Sequence, residues 1–135
     1  MAKFVLKDAF VDINAVDLSD HVESITINYG AETPEITAMS DNSRRRVPGL
    51  IDWTVDIGFR QDFAANEVDA TLFSLVGAAA FAVIFRPTSA AKGATNPEYT
   101  GNALLGSYNP IAGTVGDTAA AAVTLTGDGL LTRSV

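Results

Sequence analysis

A chain of 135 residues, 47% of them hydrophobic, is long enough to bury a core and short enough to be read as one domain spanning 1–135. It has no cysteine, which excludes disulfides, a thiolate nucleophile and a cysteine zinc site. Nine basic residues against sixteen acidic give a net charge of −7, a surface that repels nucleic-acid phosphate.

The opening MAKFVLKDAF lacks the long apolar run of a signal peptide, and no stretch approaches the roughly 18 apolar residues of a membrane span. The expectation is a soluble protein folded in a cytoplasm. Alanine, threonine, valine and glycine are frequent, and glutamate and lysine scarce, which favours sheet over helix. Residues 4–13 read as a first strand bent near Asp8. A turn at 14–18 and the turn formers Ser19 and Asp20 lead to a second strand, Val22 to Tyr29, with Ile25, Ile27 and Tyr29 on one face. Pro34 to Met39 reads as a continuation of the ladder, with Pro34 at a strand start or an edge.

Next comes a polar loop, SDNSRRRVPG at 40–49, and then the most regular strand in the chain. Trp53, Val55, Ile57, Phe59 and Gln61 fall on one face, and Thr54, Asp56, Gly58, Arg60 and Asp62 on the other. This period-two alternation marks a strand with one buried face, so Trp53, Val55, Ile57 and Phe59 are expected in the core and Asp56 outside it. Val68, Leu72, Leu75 and Val76 then recur at helical spacing. They predict a helix of about three turns, with Asn66 as N-cap, Asp69 favouring the dipole, Gly77 as the stop, and Leu72 and Leu75 packed on a sheet.

FAVIF at 81–85 reads as a strand apolar on both faces, ended by Pro87. After a small-residue loop at 88–98, a strand is expected from Tyr99 to Tyr108, closed by the turn signal Asn109-Pro110. The glycine-rich 111–118 suggests a bulge or hairpin. Ala119 to Thr126 reads as a strand, Gly127-Asp128-Gly129 as a tight turn, and Leu130 to Arg133 as a last strand. Seven or eight strands and one helix predict a mainly β fold, a β-sandwich or partly open barrel with a packed α-helix.

Chemistry is hard to find. His21 is the only histidine and follows Ser19-Asp20, where a solvated turn residue is the expectation, since no second histidine or cysteine accompanies it. Asp117 and Asp128 lie near glycines without calcium-loop spacing, and residues 113–116 lack the lysine and helix of a phosphate loop. No cofactor and no catalytic or metal-binding residues are expected. The exception to this blandness is Arg44-Arg45-Arg46, three of the nine basic residues, which leaves six against sixteen acidic elsewhere. The run can be a solvated loop tip, a nucleic-acid contact weakened by Asp41 and Asp52, or a subunit contact in which one copy docks on the acidic surface of another. A contact between unlike patches is heterologous and builds rings or stacks.

Four collinear stretches resemble the major tail tube proteins of long-tailed, non-contractile (siphovirus-type) phages, especially those infecting actinobacteria. They are VLKDAFVDINAVDLSDHV at 5–22, TAMSDNSRRRVPGLIDWTVDIGFRQDF at 37–63, VDATLFSLVG at 68–77 and NPEYTGNALLGSYNPIAGTVGD at 96–117. The resemblance implies a structural virion protein whose hexameric rings stack head-to-tail into a hollow tube, with strands joining a ring-wide β-barrel and the helix outside it. It implies a lumen that holds the tape measure protein and passes double-stranded DNA, with tail terminator and distal tail proteins as further partners and no membrane anchor. It places the protein in the virion tail, after assembly in the host cytoplasm. Asp41, Asn42, Arg44, Arg45, Arg46, Val47 and Pro48 become the expected inter-subunit loop, disordered in the isolated subunit and ordered in the tube. Asp12, Glu23, Asp56 and Asp62 become candidates for a negative lumen. Alternatives are a tail terminator, a head–tail joining or head decoration protein, an adhesin or carbohydrate-binding module, and an enzyme.

Overall fold

The computed structural model describes residues 3–135; Met1 and Ala2 lie outside it. The chain is mainly β. The strands are β1 (Phe10–Ile13), β2 (Val16–Asp17), β3 (Val22–Ala31), β4 (Ile51–Arg60), β5 (Phe81–Arg86), β6 (Glu98–Ala112) and β7 (Ala120–Ser134). They form one antiparallel sheet in the order β2-β1-β5-β6-β7-β4-β3. The sheet curls on itself, so that Ile25 and Ile27 of β3 line a cleft together with Phe85 of β5 and Tyr99 of β6.

One face of the sheet carries the core. Val11, Ile13, Phe81, Val83, Phe85, Ala103, Leu105, Ala121, Val123 and Leu125 are buried on it, with Trp53, Val55, Ile57 and Phe59 of β4 among them. Asp56 points out of this core. A short α1 (Val68–Leu72) and the 3-10 turn Phe73–Leu75 pack on β6 and close the core with Val68, Leu72 and Leu75.

The elements differ from their sequence signals where pairing or packing overrides local pattern. Residues 4–9 are not strand. The β1–β5 ladder ends at Phe10↔Arg86 because Pro87, next on β5, has no N–H to offer. The helix is shorter than its stripe suggests: Asn66 has φ 62°, so Glu67 takes the N-cap, and Val76 leaves the helix to bridge Leu105. Gly77, at φ 74°, makes the expected stop. FAVIF has one buried face only, since the single sheet leaves Ala82 exposed and Ile84 half-buried.

β6 and β7 run on through both expected turns. Asn109-Pro110 lies inside β6, at a register shift between Asn109 and Ala112 that absorbs the missing proline N–H. Gly127-Asp128-Gly129 lies inside β7, with Gly127 and Asp128 paired to Ala103 and Asn102 and the register shifting only from Gly129 on, and Trp53 explains the glycines. A Cβ on Gly127 would fall 2.3 Å from the indole, and one on Gly101 2.8 Å from it. Gly129, at φ 90°, turns its carbonyl to accept the indole N–H at 3.0 Å. The signal for a turn is thus a socket for a tryptophan.

Candidate functional site

Residues 32–50 leave the sheet as a narrow two-stranded arm between β3 and β4. Pro34 to Met39 is not a regular strand; only Glu35 bridges to Arg46. The rungs are Glu32 N–H to Leu50 carbonyl (2.9 Å), Gly49 N–H to Glu32 carbonyl (2.7 Å), Val47 N–H to Pro34 carbonyl (3.1 Å) and Ile36 N–H to Arg45 carbonyl (2.8 Å). Arg45 N–H also bonds Thr37 Oγ1, at 2.9 Å. At the tip, Asp41 N–H donates to the Ala38 carbonyl, and Asp41 Oδ2 accepts from Ala38 N–H at 2.8 Å.

Asp41 is half-buried, and Asn42, Arg44, Arg45, Arg46, Val47 and Pro48 are exposed. Arg44 pairs with Glu35 across the arm, Nη1 to Oε1 at 2.7 Å, on side chains 70% and 43% exposed, so the pair adds little stability. Arg45 and Arg46 form no ion pair among the described residues. Met39, Leu50 and Ile51 are also exposed, giving the arm apolar as well as cationic surface.

The four acidic candidates have different surroundings. Asp56 lies mid-sheet on the face away from the core, accepting from Thr124 Oγ1 at 3.1 Å and Asn28 Nδ2 at 3.4 Å. Ser24 and Thr26 border it, making a polar, small-residue face. Glu23 pairs with Arg60 at 3.1 Å on the same two strands, β3 and β4. Asp12 sits on β1 opposite Asp17; burial, then the Asp17 charge, raise its pKa. Asp62 lies beyond the end of β4.

Asp62 belongs to a cluster that primary sequence conceals. His21, in the 3-10 turn Ser19–His21, is not solvated: its side chain is 14% exposed. Nδ1 lies 2.8 Å from Asp20 Oδ1, and Nε2 lies 3.0 Å from Asp62 Oδ2 and 3.4 Å from Glu67 Oε2. Burial opposes protonation of the ring, but the bonds to Asp62 and Asp20 outweigh it and raise the pKa. The Ala64 N–H, then His21, lower that of Asp62. A second network went equally unseen: Gln61 Nε2 donates to Tyr108 Oη (3.0 Å) and the Pro110 carbonyl (2.6 Å), and Tyr108 donates to Asp69 at 2.9 Å. Separations of 39 to 49 residues hide both sets of contacts.

No family model matches the chain, and no curated protein matches it. Solved structures do. A chain in the virion of a native gene transfer agent particle superposes with a TM-score of 0.76 at 13% identity, over 95% of this chain and 96% of that one. A chain of the sheath/tube terminator structure of PVC, an extracellular contractile injection system, gives 0.77 at 13% identity, over 100% and 99%. One from the tube-terminating cap of the anti-feeding prophage gives 0.70 at 13% identity, over 99% and 93%. The protein therefore has the tail-tube-like fold, one shared by particles of both tail and contractile-injection type and not specific to one phage group.

Proposed function

We propose that this chain is a structural tail protein, the repeating subunit of a tail tube. Six copies close a ring and rings stack head-to-tail into a hollow virion tail. The tube holds a tape measure protein, meets terminator and distal tail proteins at its ends, and conducts double-stranded DNA. Assembly is in the host cytoplasm, and the subunit has no catalytic role. The carrying observation is a fold shared end to end with a chain of a gene transfer agent tail described under C6 symmetry, covering 95% of this chain and 96% of that one.

The subunit's own surface supports the reading. β3 is a ten-residue strand at the sheet edge, and such an edge invites pairing with another chain. The polar face around Asp56 suits a wall along which phosphate slides without sticking. The arm's arginines suit an acidic neighbour in an adjoining ring. The non-contractile type is the version we favour, on the sequence resemblance at 37–63.

The terminator and cap neighbours favour one second reading, a tail terminator that closes a tube without extending it. Electron microscopy of the purified chain separates the two. Long tubes or stacked rings are expected; single rings transfer the chain to the terminator reading, and monomers at high concentration count against both.

A further inference from the structure

The cluster around His21 has a use that tube building does not require. We propose that His21 Nε2, Asp62 and Glu67 form a site for a divalent transition-metal ion, best matched by Zn2+, with Asp20 as the orienting partner of the histidine.

Three features carry this. The first is the histidine's orientation. Asp20, 2.8 Å from Nδ1, accepts from that nitrogen, so Nε2, 3.0 Å from Asp62 and 3.4 Å from Glu67, is the nitrogen at which an ion would replace a proton. A carboxylate on one imidazole nitrogen and a metal on the other is the usual arrangement of a metal-bound histidine. The second is spacing. Ligands about 2.0–2.1 Å from a tetrahedral Zn2+ stand about 3.3 Å from one another. Asp62 and Glu67 approach Nε2 to 3.0 and 3.4 Å, and the three ligand atoms lie within 4.8 Å of one another. Asp62 is also held by its other oxygen, Oδ1, which accepts the Ala64 N–H at 2.9 Å.

The third feature is charge. No lysine or arginine pairs with Asp20, Asp62 or Glu67 among the described residues. A proton on Nε2 neutralises one of the three carboxylates, whereas a divalent ion neutralises two. One nitrogen and two carboxylate oxygens suit Zn2+ better than Ca2+ or Mg2+, which prefer all-oxygen sites. A bound ion would tie the turn that feeds β3 to the segment joining β4 to α1, clamping the end of the β3–β4 ladder just beyond its Val22↔Phe59 pair.

The test is calorimetric titration of Zn2+ into the untagged full chain, since a histidine tag would mask the site. It is paired with nitrogen NMR of the imidazole, unambiguous because His21 is the only histidine. One equivalent should bind, the Nε2 resonance should move while Nδ1 keeps its proton, and the melting temperature should rise with free Zn2+. Glu67→Gln should weaken binding at least tenfold, and Asp20→Asn by about tenfold; circular dichroism confirms that both remain folded. Asp117→Asn, at an exposed loop, is the control. A folded chain that takes up no Zn2+ at millimolar concentration overturns the site and leaves a protonated histidine in it. Binding that Glu67→Gln leaves unchanged, or that does not move Nε2, overturns it as well.

Discussion

The ladder between β3 and β4 passes without interruption from the most covered part of the molecule to the barest. Tyr29 pairs with Trp53, Ala31 with Ile51, and the next rung, Glu32 to Leu50, already belongs to the arm. On the sheet side, Trp53 is 1% exposed, seated among Gly101, Gly127 and the Gly129 carbonyl. On the arm side, Met39 is 96% exposed. The hydrogen bonds are alike; the burial is not. Because an isolated two-stranded hairpin is marginally stable, the sheet is held by what covers it, and the arm is free to spend its side chains on another chain.

The largest effect should come from uncovering the sheet. Leu72, fully buried on the inner side of α1, should cost about 2–5 kcal/mol when changed to alanine, read by denaturant unfolding. A loss below about 0.5 kcal/mol would show that the helix does not hold the core, and the two regions would then differ less than their burial suggests. Next is the tryptophan socket. Gly127→Ala places a methyl group against the indole and should destabilise by about 1–3 kcal/mol, with a change in near-ultraviolet signal from the single tryptophan. An unchanged Tm would mean that the indole is not fixed where it lies.

That socket also shows where local pattern reading stops. Alternation from Trp53 to Phe59 is a backbone property, legible because each inward side chain stands two residues from the last. The bare Cα at Gly127 and the register shift that begins at Gly129 accommodate Trp53, more than seventy residues away, and no local signal separates them from a turn. The same holds for Asn109-Pro110, whose proline rides a bulge in β6. In the arm, the arginines stand out by composition. Their ladder does not, since its residues lack the alternation that a covered face imposes. His21 read as solvated because Asp62 and Glu67, which cover it, are distant in sequence.

A smaller effect tests the joint between sheet and helix. Tyr108 donates to Asp69 of α1, and burial, then Asp69, raise its pKa, while Gln61 acts the other way. A raised value in the folded state stabilises the fold below the unfolded pKa of about 10, and this contribution disappears as pH rises through the folded value. Tyr108→Phe should cost about 1 kcal/mol at neutral pH and lessen the fall in Tm above about pH 10. An equal alkaline fall in the variant would assign it to other groups.

The smallest effect on stability should come from the arm, where the effect on assembly should be greatest. Replacing Arg44, Arg45 and Arg46 together with alanine removes only the exposed Glu35 pair from the subunit, so unfolding free energy should change by less than about 0.5 kcal/mol. The backbone rungs at Arg45 remain, because they do not involve its side chain. If the arm docks on an acidic neighbour, each copy forfeits charge-assisted bonds, and the loss repeats at every subunit of every ring. Tube yield in a polymerisation assay should therefore fall sharply, while circular dichroism stays that of the parent. Salt should weaken parent tubes by screening the same contacts. In Glu35→Gln, the intramolecular partner is lost and Arg44 is freed. Tubes as good as the parent's, or better, are expected if Arg44 serves the neighbour, and weaker ones if Glu35 holds the arm in shape for docking. Normal tubes from the triple variant would return the arginines to solvent and leave the apolar residues of the arm, Met39 and Leu50 foremost, as the surface that a second copy covers.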